Sequence, residues 1–396
     1  MDHTLTPRQQ RIVALAEDLA RRFAHRADDY DRDGRFPHEN YAELRDSGYL
    51  RLVVPPEYGG EGADLFEMVL AQERLGRGDG ATAMAVDMTI HLIGRLRETR
   101  AWPEPVFAEI CRAVAQEGAL INAAASEPEL GSPSRGGLPA TTATPVDGGF
   151  RLSGRKLFVS MAPALRYFVV SCALPPADDA PQGATANAIV ERGAPGLRLE
   201  DTWSDALSLR ASGSFDVLLE EVFVPQRMLV DRQPVGAPAG PGATGHVGMA
   251  WFALTLSAVY LGVGQAASDA IRAYARSRVP TALGRPIATL PNIQRHVGEI
   301  EVALSAARAL LHQTARAWVE RPEARATMAA QVAASKYLCT NAAVSATDRA
   351  LRIAGGFAIT RRLPLERFFR DARAGLTHPP NDDAALELVG KAALER

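Results

Sequence analysis

Near the C-terminus, in RFFRDARAGLTHPPNDDAALELVG (residues 367–390), a charged helical run stops at His378 and two prolines, then restarts behind Asn381, Asp382 and Asp383. An imidazole in such a loop can hold or pass a proton near neutral pH. Asp382 or Asp383 could serve as a base, but polar residues just ahead of an amphipathic run read first as an N-cap. A loop residue ahead of two prolines is also expected to carry little core packing. Far upstream, Ser126 follows the small apolar run INAAAS and can offer its hydroxyl to the edge of a flat heterocycle. Glu127, Pro128, Gly131 and Ser132 then turn the chain where backbone N–H groups can face a ligand. Phe158 and Ser160 flank Val159, so strand alternation predicts that both point to one face. The plain alternatives are a strand-ending turn for SEPELGSP and a half-buried strand for Phe158 and Ser160.

The elements around these residues divide the chain by texture. In residues 1–122, Ile12, Leu15, Ala16, Leu19 and Phe23 recur at intervals of three and four, which predicts an amphipathic helix. NYAELRDSGYL repeats the pattern with Gly48 as its stop. VVPPEYGGEG reads as an extended loop, and a further helix is expected from about Leu65 to Leu75. From 123 to 235 the period shortens. FRLSGRKLFVS, YFVVSCAL, NAIVERG and SFDVLLEEVFV are strand-like runs parted by Gly and Pro, as antiparallel strands would be. GGFRLSGRK carries turn residues at both ends, and LPPADDAPQGATA reads as an exposed loop. QPVGAPAGPGATG (233–245) is a linker into residues 236–396, where helices are predicted from about Asn292 to Val319 and Ala326 to Ile353. The sum is α+β with segregated parts.

Composition narrows the function. With 396 residues, 47% apolar and 23% charged, the chain reads as two or three packed globular units. A net charge of −2 gives no footing for nucleic acid or an anionic membrane. The three cysteines form no CxxC pair, so neither disulfides nor a zinc cage is expected and a reducing cytoplasm fits. The polar start MDHTLTPRQQ has no apolar signal core, and the apolar run Met249 to Val263 reads as a buried helix too short to span a bilayer. No GxxxxGK[ST], HExxH or nucleophile-elbow GxSxG occurs, and LGVGQAAS lies inside a helical pattern rather than after a strand.

A set of local patterns in fixed order is more specific. VVPPEYGG precedes AQERLG; ASEPELGS, GFRLSGRKLFVSMA and LSLRASGSFDVLLEEVFVP bracket the strands; YARSRVPTALGRPIATLPNIQ and ALRIAGGFAITRRLPLERFFRDAR follow. Over nearly its whole length the chain resembles the acyl-CoA dehydrogenase superfamily. The resemblance implies an N-terminal helical domain (1–122), a middle antiparallel β domain (123–235) and a C-terminal four-helix bundle (236–396). It implies a flavin held between them and subunits paired as a homodimer or homotetramer. Phe158 and Ser160 fall where the family has an aromatic and a hydroxyl beside the isoalloxazine ring; Ser126 is expected to line the ring with them, and Ser132 to bind the cofactor from the turn that follows. Arg278 and Gln294 match side chains that reach the flavin pyrophosphate and adenosine across subunits, although RVPTALG is longer than the usual spacing after that arginine. Gly355 and Gly356 match paired glycines beside the dinucleotide, with a helix C-cap as the plain alternative, and Arg352 stands where the family usually has Gln. Arg367, Arg370 and Asp371 read as a structural ion-pair cluster.

The dehydrogenases of this superfamily remove a proton with a glutamate placed shortly after an Arg-Asp-Ala. Counting from Arg370-Asp371-Ala372, the expected Tyr-Glu falls on His378-Pro379. The second place for that base, in GMAWFALTLSAVYLG, holds no acid either. A branch that resembles the dibenzothiophene and nitrogen-hydroxylating monooxygenases lacks the glutamate and has a histidine in this loop, a serine at the position of Ser160 and a histidine where His91 falls. That resemblance implies catalytic roles for His378, His91 and Ser160. It implies a monooxygenase that hydroxylates a small or medium organic substrate through a C4a-(hydro)peroxyflavin, using FAD, or reduced FAD or FMN supplied by a separate flavin reductase. The competing expectation is an FAD-dependent acyl-CoA or acyl-carrier dehydrogenase that introduces an α,β double bond. A non-catalytic scaffold ranks third.

Overall fold

The computed structural model describes residues 5–130, 137–236 and 245–395. Helices α1 (Pro7–Ala24), α2 (Ala27–Asp33), α3 (His38–Asp46), α4 (Leu65–Gly78), α5 (Gly80–Thr99) and α6 (Glu104–Arg112) come first. The stripe read from α1 is its buried face, with Ile12, Leu19 and Phe23 fully enclosed. Thr6 and Gln9 close a capping box at its start. Helix α3 stops where expected: Ser47 caps it and Gly48 takes φ 78°. The VVPPEYGGEG segment is a loop with a single short turn at Pro56–Tyr58.

Strands β1 (Leu120–Ala124), β2 (Thr142–Val146), β3 (Gly149–Val159), β4 (Leu165–Leu174), β5 (Ala184–Glu191), β6 (Leu197–Glu200), β7 (Phe215–Pro225) and β8 (Leu229–Pro234) form one eight-stranded sheet among the described residues. Its order is β6-β7-β3-β2-β4-β5-β8, with β1 on β4. The sheet is not antiparallel throughout: β1 runs parallel to β4, and β2 meets β4 in parallel at Thr142 and Ala173. Neither parallel pair is joined directly: residues 125–164 separate β1 from β4, and β3 lies between β2 and β4 in the chain, so nothing forces a reversal. Of the two turns read in GGFRLSGRK only the first exists, with Gly148 at φ 72° between β2 and β3. Gly154 lies inside β3, where a Cβ would come within 2.4 Å of Thr141 Oγ1. The loop between β4 and β5 is exposed over most of its length, as read.

Helices α7 (His246–Ser277), α8 (Pro291–Glu320), α9 (Ala329–Ala354), α10 (Leu365–Ala374) and α11 (Asp382–Leu394) complete the chain. Helix α7 is the hub and packs on α4, α5, α8, α9 and α10. With 32 residues it is long and apolar enough to cross a membrane, which the shorter run read from sequence is not. Yet 83% of its most apolar window is buried inside the protein, including Trp251 and Tyr260, so it is a core helix.

Candidate functional site

His378 follows the end of α10 and turns back over α7. Its Nδ1 lies 2.9 Å from the hydroxyl of the fully buried Tyr260. Burial holds that phenol protonated, well above its ordinary range, and among the described residues it has no other acceptor. The Tyr260 hydroxyl therefore donates, Nδ1 accepts, and the ring hydrogen sits on Nε2. His91, on α5, is the complement. Its Nδ1 lies 2.9 Å from the Asp87 carbonyl, which can only accept, so His91 Nε2 is a bare acceptor. The Phe252 ring meets both imidazoles edge-on, with centroids 5.0 Å from His91 and 6.4 Å from His378. Burial pulls both histidines down to about 4, assisted by the Arg95 charge at His91 and the Lys336 charge at His378. Two neutral imidazoles, one donor and one acceptor, thus meet one aromatic ring.

Of the acids near this pair, Asp382 and Asp87 are each held through one oxygen and keep the other buried without a hydrogen-bond partner. Asn381, not an aspartate, caps α11: its side chain accepts from Ala384 N at 3.0 Å. Asp382 accepts from Asn341 at 3.0 Å and faces the buried Lys336 ammonium at 3.7 Å. Asp383 is exposed. Asp87, one turn before His91, is fully buried and takes a hydrogen bond from Gln72, which accepts in turn from Tyr49. Burial outweighs the pull of the Thr255 and Gln72 side chains and pushes Asp87 up to about 8.

A second cluster lies on the sheet. Ser160, Ser214 and Ser212 form a buried hydroxyl chain with spacings of 2.9 and 2.7 Å. The expectation that Phe158 and Ser160 share a face fails. Phe158 takes φ 59° where the β3–β7 register shifts, so its ring is 58% exposed and meets Trp203 edge-on, whereas Ser160 turns inward. Ser126 bridges Leu157 through its backbone and so sits beside Phe158. Behind it, Lys156 Nζ donates to Glu127 at 2.5 Å, and Ala140 N and Thr141 N complete the carboxylate's shell.

Asp371 ties this cluster to the bundle. It accepts from Leu209 N at 2.7 Å on the loop that carries Trp203 and Ser212. Beside it Arg370 grips Asp31 of α2, and Arg367 pairs with Asp28. The ion-pair reading of these residues holds.

A third cluster gathers the ends of α7 and α9. Arg278 stacks over Phe357, 5.2 Å from its centroid and next to Gly355 and Gly356, which are open to added side-chain atoms. Gln294 donates to Ala288 O in the turn whose Ile287 N bonds Arg278 O. Ser132 and Gly131 lie outside the described residues. An exposed aromatic edge at Phe158 and Trp203, a hydroxyl beside it at Ser126 and an accessible cation next to glycines fit a flat ring with a phosphate-bearing tail.

Residues 6–97, 122–222 and 254–382 match the N-terminal, middle and C-terminal domains of acyl-CoA dehydrogenase. The chain belongs to the acyl-CoA dehydrogenase family. One similar protein is YdbM of Bacillus subtilis (strain 168), whose name assigns it provisionally to the acyl-CoA dehydrogenases; it is 39% identical over 95% of both chains. The L-evernosamine nitrososynthase of Micromonospora sp. (strain ATCC 39149 / NRRL 15099 / SCC 1413) is 30% identical, over 98% of this chain and 91% of its own. Among solved structures, KijD3 in complex with FMN and dTDP-3-amino-2,3,6-trideoxy-4-keto-3-methyl-D-glucose superposes with a TM-score of 0.85 at 28% identity, covering 99% of this chain and 95% of its own. In this acyl-CoA dehydrogenase-family chain, Tyr260, Phe252 and Trp203 carried no signal of their role in the sequence, because apolar helices and half-buried strands hold such residues as core.

Proposed function

We propose that this family member is a reduced-flavin-dependent monooxygenase that hydroxylates a small or medium organic molecule. The cofactor is a flavin, which when bound supplies the electrons that activate oxygen. Ser126 and Phe158 line its ring, with Ser160 behind them at the head of the buried serine chain, and Arg278, Gln294, Gly355 and Gly356 serve the tail of a flavin shared across a homodimer or homotetramer. Ser132 serves the same cofactor. A separate flavin reductase supplies reduced FAD or FMN.

The observation that carries the reading is the neutral histidine pair, together with a proline, Pro379, at the position where the resemblance puts the dehydrogenase glutamate. His378 Nε2–H can donate a hydrogen bond to a developing negative oxygen, and His91 Nε2 can accept a substrate proton. The serine chain through Ser160 can pass a proton along the sheet side. None of these groups is basic enough to remove a proton α to a thioester unaided. The kinship with nitrososynthases and the FMN complex of KijD3 support the same reading.

The identity with YdbM favours the second reading, an FAD-dependent acyl-CoA dehydrogenase. The two separate in one experiment. Anaerobic mixing of the FAD-loaded protein with butyryl-CoA and longer acyl thioesters should leave the flavin oxidised, and bleaching by any of them decides for the dehydrogenase.

A further inference from the structure

Met88, His91 and Arg95 recur on α5 at intervals of three and four, so they share one face of that helix. Met88 and His91 are half-buried, and so is Phe252 opposite them on α7. Arg95 is only 5% exposed. Its Nη1 is buried without a hydrogen-bond partner, and among the described residues the guanidinium forms no ion pair. Burying a guanidinium costs heavily unless an anion meets it. The nearby charges do not meet it. Asp231 on β8 pulls on Arg95 electrostatically but forms no ion pair with it, and its Oδ2 is held by Trp102 Nε1 and Asn187 Nδ2, both at 2.9 Å. Arg97 is spent on the Ala63 carbonyl, and Glu98 on Trp251 and Arg325.

We propose that Arg95 anchors the carboxylate of the substrate, which is therefore a small organic acid with an apolar body. This rests on the reading above only in placing the substrate beside His91 and His378. The guanidinium fork matches a carboxylate's two oxygens. With one guanidinium and the Asp231 charge already near it, the site favours a monoanion over the two charges of a phosphate monoester. One turn of helix separates His91 from Arg95, a rise of roughly 6 Å, so the carboxylate sits a few bonds from the reacting atom. Met88 and Phe252 wall the apolar part between.

The test is calorimetric titration of the full-length, flavin-loaded protein with phenylacetate against phenylacetamide and hexanoate against hexanamide, in the absence of turnover. The wild type should bind at least one carboxylate tenfold or more tightly than its amide. Arg95→Gln should bring that carboxylate down to the level of its amide while flavin affinity holds, and Arg95→Lys should restore part of the preference. Equal binding of acids and amides by the wild type, or no binding of either acid, overturns the proposal. So does a preference that survives in Arg95→Gln; a lowered melting temperature with that preference intact would make Arg95 merely the counterion of Asp231. No outcome depends on whether oxygen or a thioester is the reactant, so the anchor and the proposed reaction stand or fall separately.

Discussion

The Tyr260 hydroxyl donates to Nδ1 of His378 across 2.9 Å, joining the core of α7 to the loop that follows α10. This bond fixes the ring hydrogen on Nε2. Tyr260→Phe removes one net hydrogen bond, worth about 1 kcal/mol of stability, and frees the imidazole to take the other tautomer. The expected result is a melting temperature close to wild type with more hydrogen peroxide released per oxygen consumed. An unchanged peroxide yield would remove Tyr260 as a positioning residue.

His378 itself is packed more firmly than a loop position suggests. It bonds Tyr260 and meets Phe252, so His378→Ala should cost stability as well as coupling. Its folded value of about 4 lies below the ordinary 6.5. The stability it contributes is therefore complete above pH 6.5 and lost as pH falls toward 4. Across that window wild type should lose about 2 kcal/mol more than His378→Ala, read from denaturant melts at each pH.

Asp87 has the opposite sign. Its folded value of about 8 lies above the ordinary 3.8, so its protonated form suits the fold and its contribution is lost as pH rises through 8. Asp87→Asn keeps an acceptor for Gln72 and removes the ionisable group. The variant should match wild type near pH 4 and exceed it by on the order of 2 kcal/mol at pH 8. A variant less stable than wild type at pH 8 would mean that the carboxylate is ionised and paired.

The Glu127–Lys156 pair is fully enclosed, and each partner has further hydrogen bonds. Glu127→Gln leaves the Lys156 charge buried without its counterion and should cost about 3–5 kcal/mol. The double variant Glu127→Gln with Lys156→Met should recover most of that loss in thermal melts, because both charges are then gone.

The long helices, the strand runs and the order of the three parts were legible because each rests on local periodicity, as Ile12 to Phe23 and Ile300 to Trp318 show. The parallel seating of β1 was not, since it depends on partners such as Leu165 and Val170, far along the chain from Leu120 and Ala124. Alternation misplaced Phe158 because a single left-handed residue at a register shift moves one side chain without changing the sequence pattern. His378 and His91 were legible as a pair through resemblance alone. Their tautomers needed Tyr260 and the Asp87 carbonyl, which no spacing rule connects to them. Arg95 was silent, because an arginine near the end of an amphipathic helix reads as solvated until its burial is known.

The Asp371 clasp bears on how a substrate gets in. Through Asp371 and its neighbour Arg370, α10 holds the 207–209 loop of the sheet side and α2 of the first helices together. Swinging one of these bodies away would leave buried charges on α10 and α2, or the Leu209 N–H and Leu207 carbonyl of the loop, without their partners. Ligand traffic must then proceed by small local shifts of side chains and loops, with the walls of the cleft behaving as a fixed frame rather than as jaws.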